Sequence, residues 1–146
     1  GATGALSLPA GDRVVSGSIL LPRGLPQIGQ GLQPVANFRH RGPGGAWTAV
    51  ARLGTLDSTS DSNFCLVTGT AATDQDLVMD QSCEVVSATT FIAPTYLIPN
   101  SAGVGGFALR NTNFNNAAQL YLGFYSSTLN AADFLDLISY RVYLIG

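Results

Sequence analysis

His40 is the single histidine of this 146-residue chain, and arginines flank it in Phe38-Arg39-His40-Arg41. An imidazole works as a catalytic base when a nucleophile stands on a strained turn and a carboxylate orients the ring. The chain contains no Gly-x-Ser-x-Gly to supply that turn. His40 therefore reads as a loop histidine; the alternative is a small basic knob of Arg39, His40 and Arg41 that touches an acidic partner surface.

Five of the nine carboxylates form two clusters, Asp57 with Asp61 and Asp74 with Asp76 and Asp80. Glycoside hydrolysis needs two carboxyl groups across a cleft, about 5 Å or 6.5–9.5 Å apart, which spacing along a chain does not establish. Asp74-x-Asp76 begins like a calcium loop, but the glycine and the terminal bidentate glutamate of such a loop are missing. These acids read as solvated loop residues. Cys65 and Cys83 with one histidine fall short of the four ligands of a structural zinc site. They read as buried free thiols, since no secretory context supports a disulfide. Gly103-Val-Gly105-Gly106 lacks the Gly-Lys-Ser/Thr of a phosphate loop and reads as a turn. No catalytic, metal or cofactor site is expected, and the chain is expected not to be an enzyme.

A carbohydrate platform is the other chemistry to weigh. Trp47, Tyr121, Tyr125, Tyr140 and Tyr143 offer stacking faces, and Asn111, Asn113, Asn115 and Asn116 offer amides. Aromatic residues on alternating strands more commonly pack the two inner faces of a sandwich, and that reading is preferred.

Composition points the same way. The chain has no lysine, one glutamate (Glu84) and seven arginines, and only 11% of its residues are charged. About 25% is usual for a soluble domain. A surface of Ser, Thr, Asn and backbone suits a protein covered by neighbours. The net charge of −2 carries no basic excess, so a nucleic-acid partner is not expected. No stretch approaches the ~20 apolar residues of a membrane helix, so no membrane partner is expected. The first eleven residues have neither a basic segment nor a long apolar run, so no secretory signal is expected.

Short alternating segments separated by turn residues run from end to end. Strands are expected at Leu6–Leu8, Arg13–Leu21, Val35–Arg39, Trp47–Leu53, Phe64–Thr68, Leu77–Met79, Cys83–Ser87, Tyr96–Ile98, Phe107–Arg110 and Gln119–Tyr125. A last strand carries Ile138, Tyr140, Val142 and Leu144 on one face, and Ser139, Arg141 and Tyr143 on the other. Pro22–Pro34 reads as a long irregular loop, and Ser126–Asp133 tolerates a helical turn. The fold expected is all-β: one antiparallel two-sheet sandwich, jelly-roll-like, over 1–146 with a short flexible N-terminal arm.

Three segments bear a family likeness. They are Leu6-Ser-Leu-Pro-Ala-Gly-Asp-Arg-Val-Val-Ser-Gly-Ser-Ile19, Ala49-Val-Ala-Arg-Leu-Gly-Thr-Leu-Asp-Ser-Thr-Ser-Asp-Ser-Asn-Phe-Cys-Leu66 and Tyr140-Arg-Val-Tyr-Leu-Ile145. Together they resemble the jelly-roll head proteins of tailed bacteriophages, of the cement or decoration type. The resemblance implies a non-enzymatic virion protein on the capsid exterior, assembled in the host cytoplasm, that binds and stabilises the major capsid protein shell. It also implies self-association, as a homotrimer before a dimer. The alternative is a carbohydrate- or receptor-binding sandwich such as a tail-fibre tip.

The partner contacts are expected on the arm Gly1–Ala5 and on apolar tips of the Arg23–Gln33 loop, namely Leu25, Ile28 and Leu32. Arg39 and Arg41 are secondary anchors. Apolar loop residues gain about 25 cal/mol per Å² when a partner covers them.

Overall fold

The computed structural model describes residues 3–8, 13–14, 19–42, 47–69, 75–94, 98–99, 107–128 and 134–146. Its elements are all strands. In chain order they are β1 (Thr3–Leu8), β2 (Arg13–Val14), β3 (Ile19–Leu20), β4 (Gly31–Arg41), β5 (Trp47–Gly54), β6 (Ser62–Gly69) and β7 (Gln75–Asp80). Then follow β8 (Cys83–Ser87), β9 (Thr90–Pro94), β10 (Ile98–Pro99), β11 (Phe107–Arg110), β12 (Tyr121–Thr128) and β13 (Phe134–Ile145). The first sheet runs β1-β13-β4-β8-β9-β11, with β7 also on β4. The second runs β10-β6-β5-β12-β2, with β3 also on β12. The β10–β6 pair is parallel, and the remaining described pairs are antiparallel.

β7 and β8 are one strand interrupted. Val35 faces Asp80 and Leu32 faces Cys83, so the offset between the two strands never changes. The ladder lapses only opposite Gln33 and Pro34. Proline has no N–H to donate, which explains a break at that point in an otherwise continuous pairing. β2 and β3 likewise lie along the same strand, β12. Counting each of these as one strand and setting aside β9–β11 leaves eight. Numbered along the chain, they pair first with eighth, second with seventh, third with sixth and fourth with fifth. This is one long hairpin rolled into two sheets, the jelly-roll arrangement. β9 and β11 extend the first sheet, and β10 extends the second.

Alternation decides what is inside. On β4, Leu32, Ala36 and Phe38 are buried, with His40 on the same side, while Arg39 and Arg41 are exposed. On β5, Ala49, Ala51 and Leu53 point inward, and on β12 so do Leu122 and Phe124. Phe38 of the first sheet and Phe124 of the second meet edge to face, with centroids 6.3 Å apart. Fully burying a residue of this size contributes about 1.5–3 kcal/mol. Loop residues close the ends of the core: Leu21 on one side, and Phe114, whose ring meets Phe91 at 4.9 Å.

The structure departs from several sequence expectations. β1 starts at Thr3, which pairs with Ser139, so Thr3–Ala5 of the supposed arm belongs to the sheet. The Pro22–Pro34 segment is a loop only to Gln30, and Gly31–Pro34 opens β4. β9 had no counterpart in the sequence reading. Ser126–Thr128 continues β12 as strand, and 129–133 lies outside the described residues. On β13 the register shifts between Leu137 and Ser139, leaving Ile138 as an extra residue. A bulge of this kind reverses which residues face inward. Leu137 is therefore buried before it and Tyr140 and Val142 pack on the core after it, while Ile138 and Leu144 are exposed.

Candidate interaction surface

The loop from Leu21 to Gln30 is built rather than slack. Its chain turns at Pro22–Leu25, where the Leu25 N–H donates to the Pro22 carbonyl at 3.1 Å. It turns again at Gln27–Gln30, where the Gln30 N–H donates to the Gln27 carbonyl at 2.9 Å. The Gln30 side chain closes the same turn by accepting from the Gln27 N–H at 2.9 Å. Two reciprocal bonds then tie the loop to β8: the Gly29 N–H to the Val85 carbonyl, and the Val85 N–H to the Gln30 carbonyl, both 2.8 Å. Paired backbone groups of this kind hold a segment as a strand ladder does.

The three expected apolar tips separate. Ile28 is 60% exposed, Leu25 is half-buried, and Leu32 is 3% exposed inside the core. Leu32 is corrected from contact residue to core residue: it lies on the inward face of β4 opposite Cys83. Ile28 precedes Gly29, which lines a cleft of about 360 Å³ together with Gly31, Glu84, Ile92, Ile145 and Gly146. Gly31 forms the close approach there, because a Cβ at that position would overlap the Cys83 carbonyl. Register places Ile145, Gly31, Glu84, Ile92 and Leu109 in one row across the first sheet. Tyr143, Ile145 and Leu109 of this region are exposed. The cleft and its row escaped sequence reading because its members come from β4, β8, β9, β11 and β13. Only strand register brings them together.

The opposite end of the same sheet carries the charges. Arg39 and Asp76 face each other at 2.7 Å in the open, and hydrogen bonding from Arg39 lowers the Asp76 carboxyl below its ordinary range. Arg41 Nε meets the buried Asp136 at 2.5 Å. Arg39 and Arg41 are thus each paired with an acid of the chain itself, Asp76 and Asp136. The Arg39–Asp76 pair lies in solvent, where such a pair contributes little to stability. His40 is fully buried in β4, not in a loop.

The remaining sequence candidates resolve as follows. Asp61 is buried, and its carboxylate accepts the backbone N–H groups of Leu56, Asp57 and Ser58. Asp80 accepts from the Gln33 side chain at 2.8 Å, while Asp74 lies outside the described residues. Cys83 is free and buried, and burial pushes its thiol up to about 11. Gly103–Gly106 and most of the turn after Arg41 lie outside the described residues. Of the aromatic candidates, two are packed away, and the Trp47 side chain lies outside the described residues. Tyr125 is 1% exposed beneath the Arg52 guanidinium, and Tyr140 packs against Phe124 at 5.5 Å. Among the described residues, no group of three or more His, Cys, Asp or Glu side chains is placed to hold a metal ion. No helix among them is long and apolar enough to cross a membrane.

No family model, curated protein or solved structure matches this chain.

Proposed function

We propose that this chain is a non-enzymatic virion structural protein, a decoration protein that seats on the major capsid protein shell of a bacteriophage. The observation that carries the reading is the outer face of the first sheet. Arg39 and Arg41 at one end are internally paired, and the other end presents exposed Ile28, Tyr143 and Ile145, with Ile145 lining a shallow cleft. An exposed apolar cluster of this kind suits the centre of a protein interface. Jelly rolls are common in viral capsid and lectin domains, which fits the reading by analogy of fold. The partner contact residues are Ile28 and Leu25 of the loop, joined by Ile145. Arg39 and Arg41 act at the rim through their charge pairs. The chain self-associates, as a homotrimer before a dimer.

The mutational test is Ile28→Ser combined with Ile145→Ser. Shell occupancy is expected to fall at least tenfold with the unfolding midpoint unmoved. Unchanged occupancy removes this face from the interface and leaves the reading without its main support.

A further inference from the structure

A second cleft, of about 280 Å³, lies between the β5–β6 loop and the segment after β11. Its walls carry two guanidinium groups, Arg52 and Arg110, with hydroxyls and amides between them, among them Ser60, Ser62, Asn63 and Asn111. Asp61 also lines it, but its two carboxylate oxygens are engaged by three backbone N–H groups of its own loop. The cleft therefore holds more positive charge than it neutralises.

The two arginines differ. Arg52 Nη1 donates to the Asp61 carbonyl at 3.1 Å and to Asn63 Oδ1, and its guanidinium carbon sits 5.6 Å from the Tyr125 ring centroid. Arg52 is a fixed wall. Arg110 ends β11, and its Nε is buried with no hydrogen-bond partner among the described residues. Arg110 also lines the cleft, and among the described residues no acid pairs with it.

We infer that this cleft binds the carboxylate of an acidic monosaccharide, with Arg110 as the anion-binding fork and the hydroxyl and amide side chains holding the sugar hydroxyls. A guanidinium edge presents parallel N–H groups that match a planar carboxylate. The Ser62 hydroxyl donates to the Thr112 carbonyl at 2.8 Å, which leaves its oxygen free to accept from a sugar hydroxyl. Leu109, 68% exposed at the rim, offers an apolar surface to ring C–H groups. The volume takes one sugar ring and its substituents. The cleft is preformed: the Thr55 N–H donates to the Asn113 carbonyl at 2.8 Å, and Asn113 Nδ2 donates to the Ser60 carbonyl at 3.0 Å. Pocket walls set in advance lose little order when a ligand enters. This inference does not rest on the capsid reading, and its cleft shares only Leu109 with the row described above.

The test is calorimetric titration of the full chain with glucuronate, N-acetylneuraminate, glucose, glutamate and inorganic phosphate. Saturable binding of one of the two acidic sugars is expected, at least tenfold tighter than glucose, glutamate or phosphate. Arg110→Gln is expected to weaken it at least tenfold, and Arg110→Lys, which keeps the charge but removes the fork, by an intermediate factor. Circular dichroism checks that both variants fold. Failure of the wild-type chain to bind either acidic sugar overturns the inference, as does unchanged affinity in both variants. Equal binding of glutamate or phosphate reduces the site to an unspecific anion contact and also overturns it.

Discussion

Asp61 occupies the space that a side chain on Gly54 would need. A Cβ at Gly54 would run into the Asp61 carboxyl group, and that carboxylate is what gathers the Leu56, Asp57 and Ser58 N–H groups into the β5–β6 turn. This turn is the tip of the long hairpin from which the sandwich is rolled.

Both partners of that relationship are testable. Asp61→Ala leaves three backbone donors without their acceptor and is expected to cost about 1–3 kcal/mol or more of stability. Gly54→Ala forces the carboxylate aside and is expected to cost about 1–3 kcal/mol. The double variant is expected to cost less than the sum, because either change alone already disrupts the same cap. Urea unfolding of the three variants checks this. Full additivity would contradict a shared cap.

Leu32 and Ile28, four residues apart, are expected to behave as opposites. Leu32→Ala opens the core between β4 and β8 and is expected to cost about 2–5 kcal/mol. Ile28→Ser touches solvent and is expected to shift stability by no more than about 0.5 kcal/mol. Denaturant midpoints of the two variants measure the contrast. Equal losses would contradict the placement of the loop.

Burial raises the Cys83 thiol to about 11 from an ordinary value of 9.0. The folded state holds this proton more tightly than the unfolded chain. Its contribution to stability is therefore complete below pH 9 and is lost as pH rises toward 11. Two pKa units correspond to roughly 2–3 kcal/mol. Unfolding curves of the wild-type chain and of Cys83→Ala are expected to diverge in pH dependence above pH 9. In a Cys65→Ser background, iodoacetamide at pH 8 is expected to leave Cys83 unmodified until denaturant is added. Prompt labelling of the folded protein would contradict the burial.

Much of the fold is legible in the residues. Cys83–Ser87 and Phe107–Arg110 are strands with the bounds that alternation suggests, and the Ala49, Ala51 and Leu53 face of β5 is the buried one. The errors have physical causes. Pro34 looked like the end of a loop, yet it sits inside β4 at the one place where the pairing with β7 and β8 lapses. Strict alternation puts Ile138 on one face with Tyr140 and Val142, because it ignores the bulge at Ile138. The apolar outer face was partly legible, in the exposure of Ile28, and partly not. Its other members are spread over five strands, and the arginines taken for anchors are held by acids 37 and 95 residues away along the chain. Pairings of that separation are set by topology and leave no local trace.

The central claim is that the chain works by covering a protein shell. It is tested most directly by co-sedimentation of the purified chain with emptied bacteriophage capsid shells. The account predicts saturable binding at a fixed ratio to the major capsid protein, lost when Ile28 and Ile145 are both changed to serine. Absence of binding to the shell, or binding that never saturates, would contradict it.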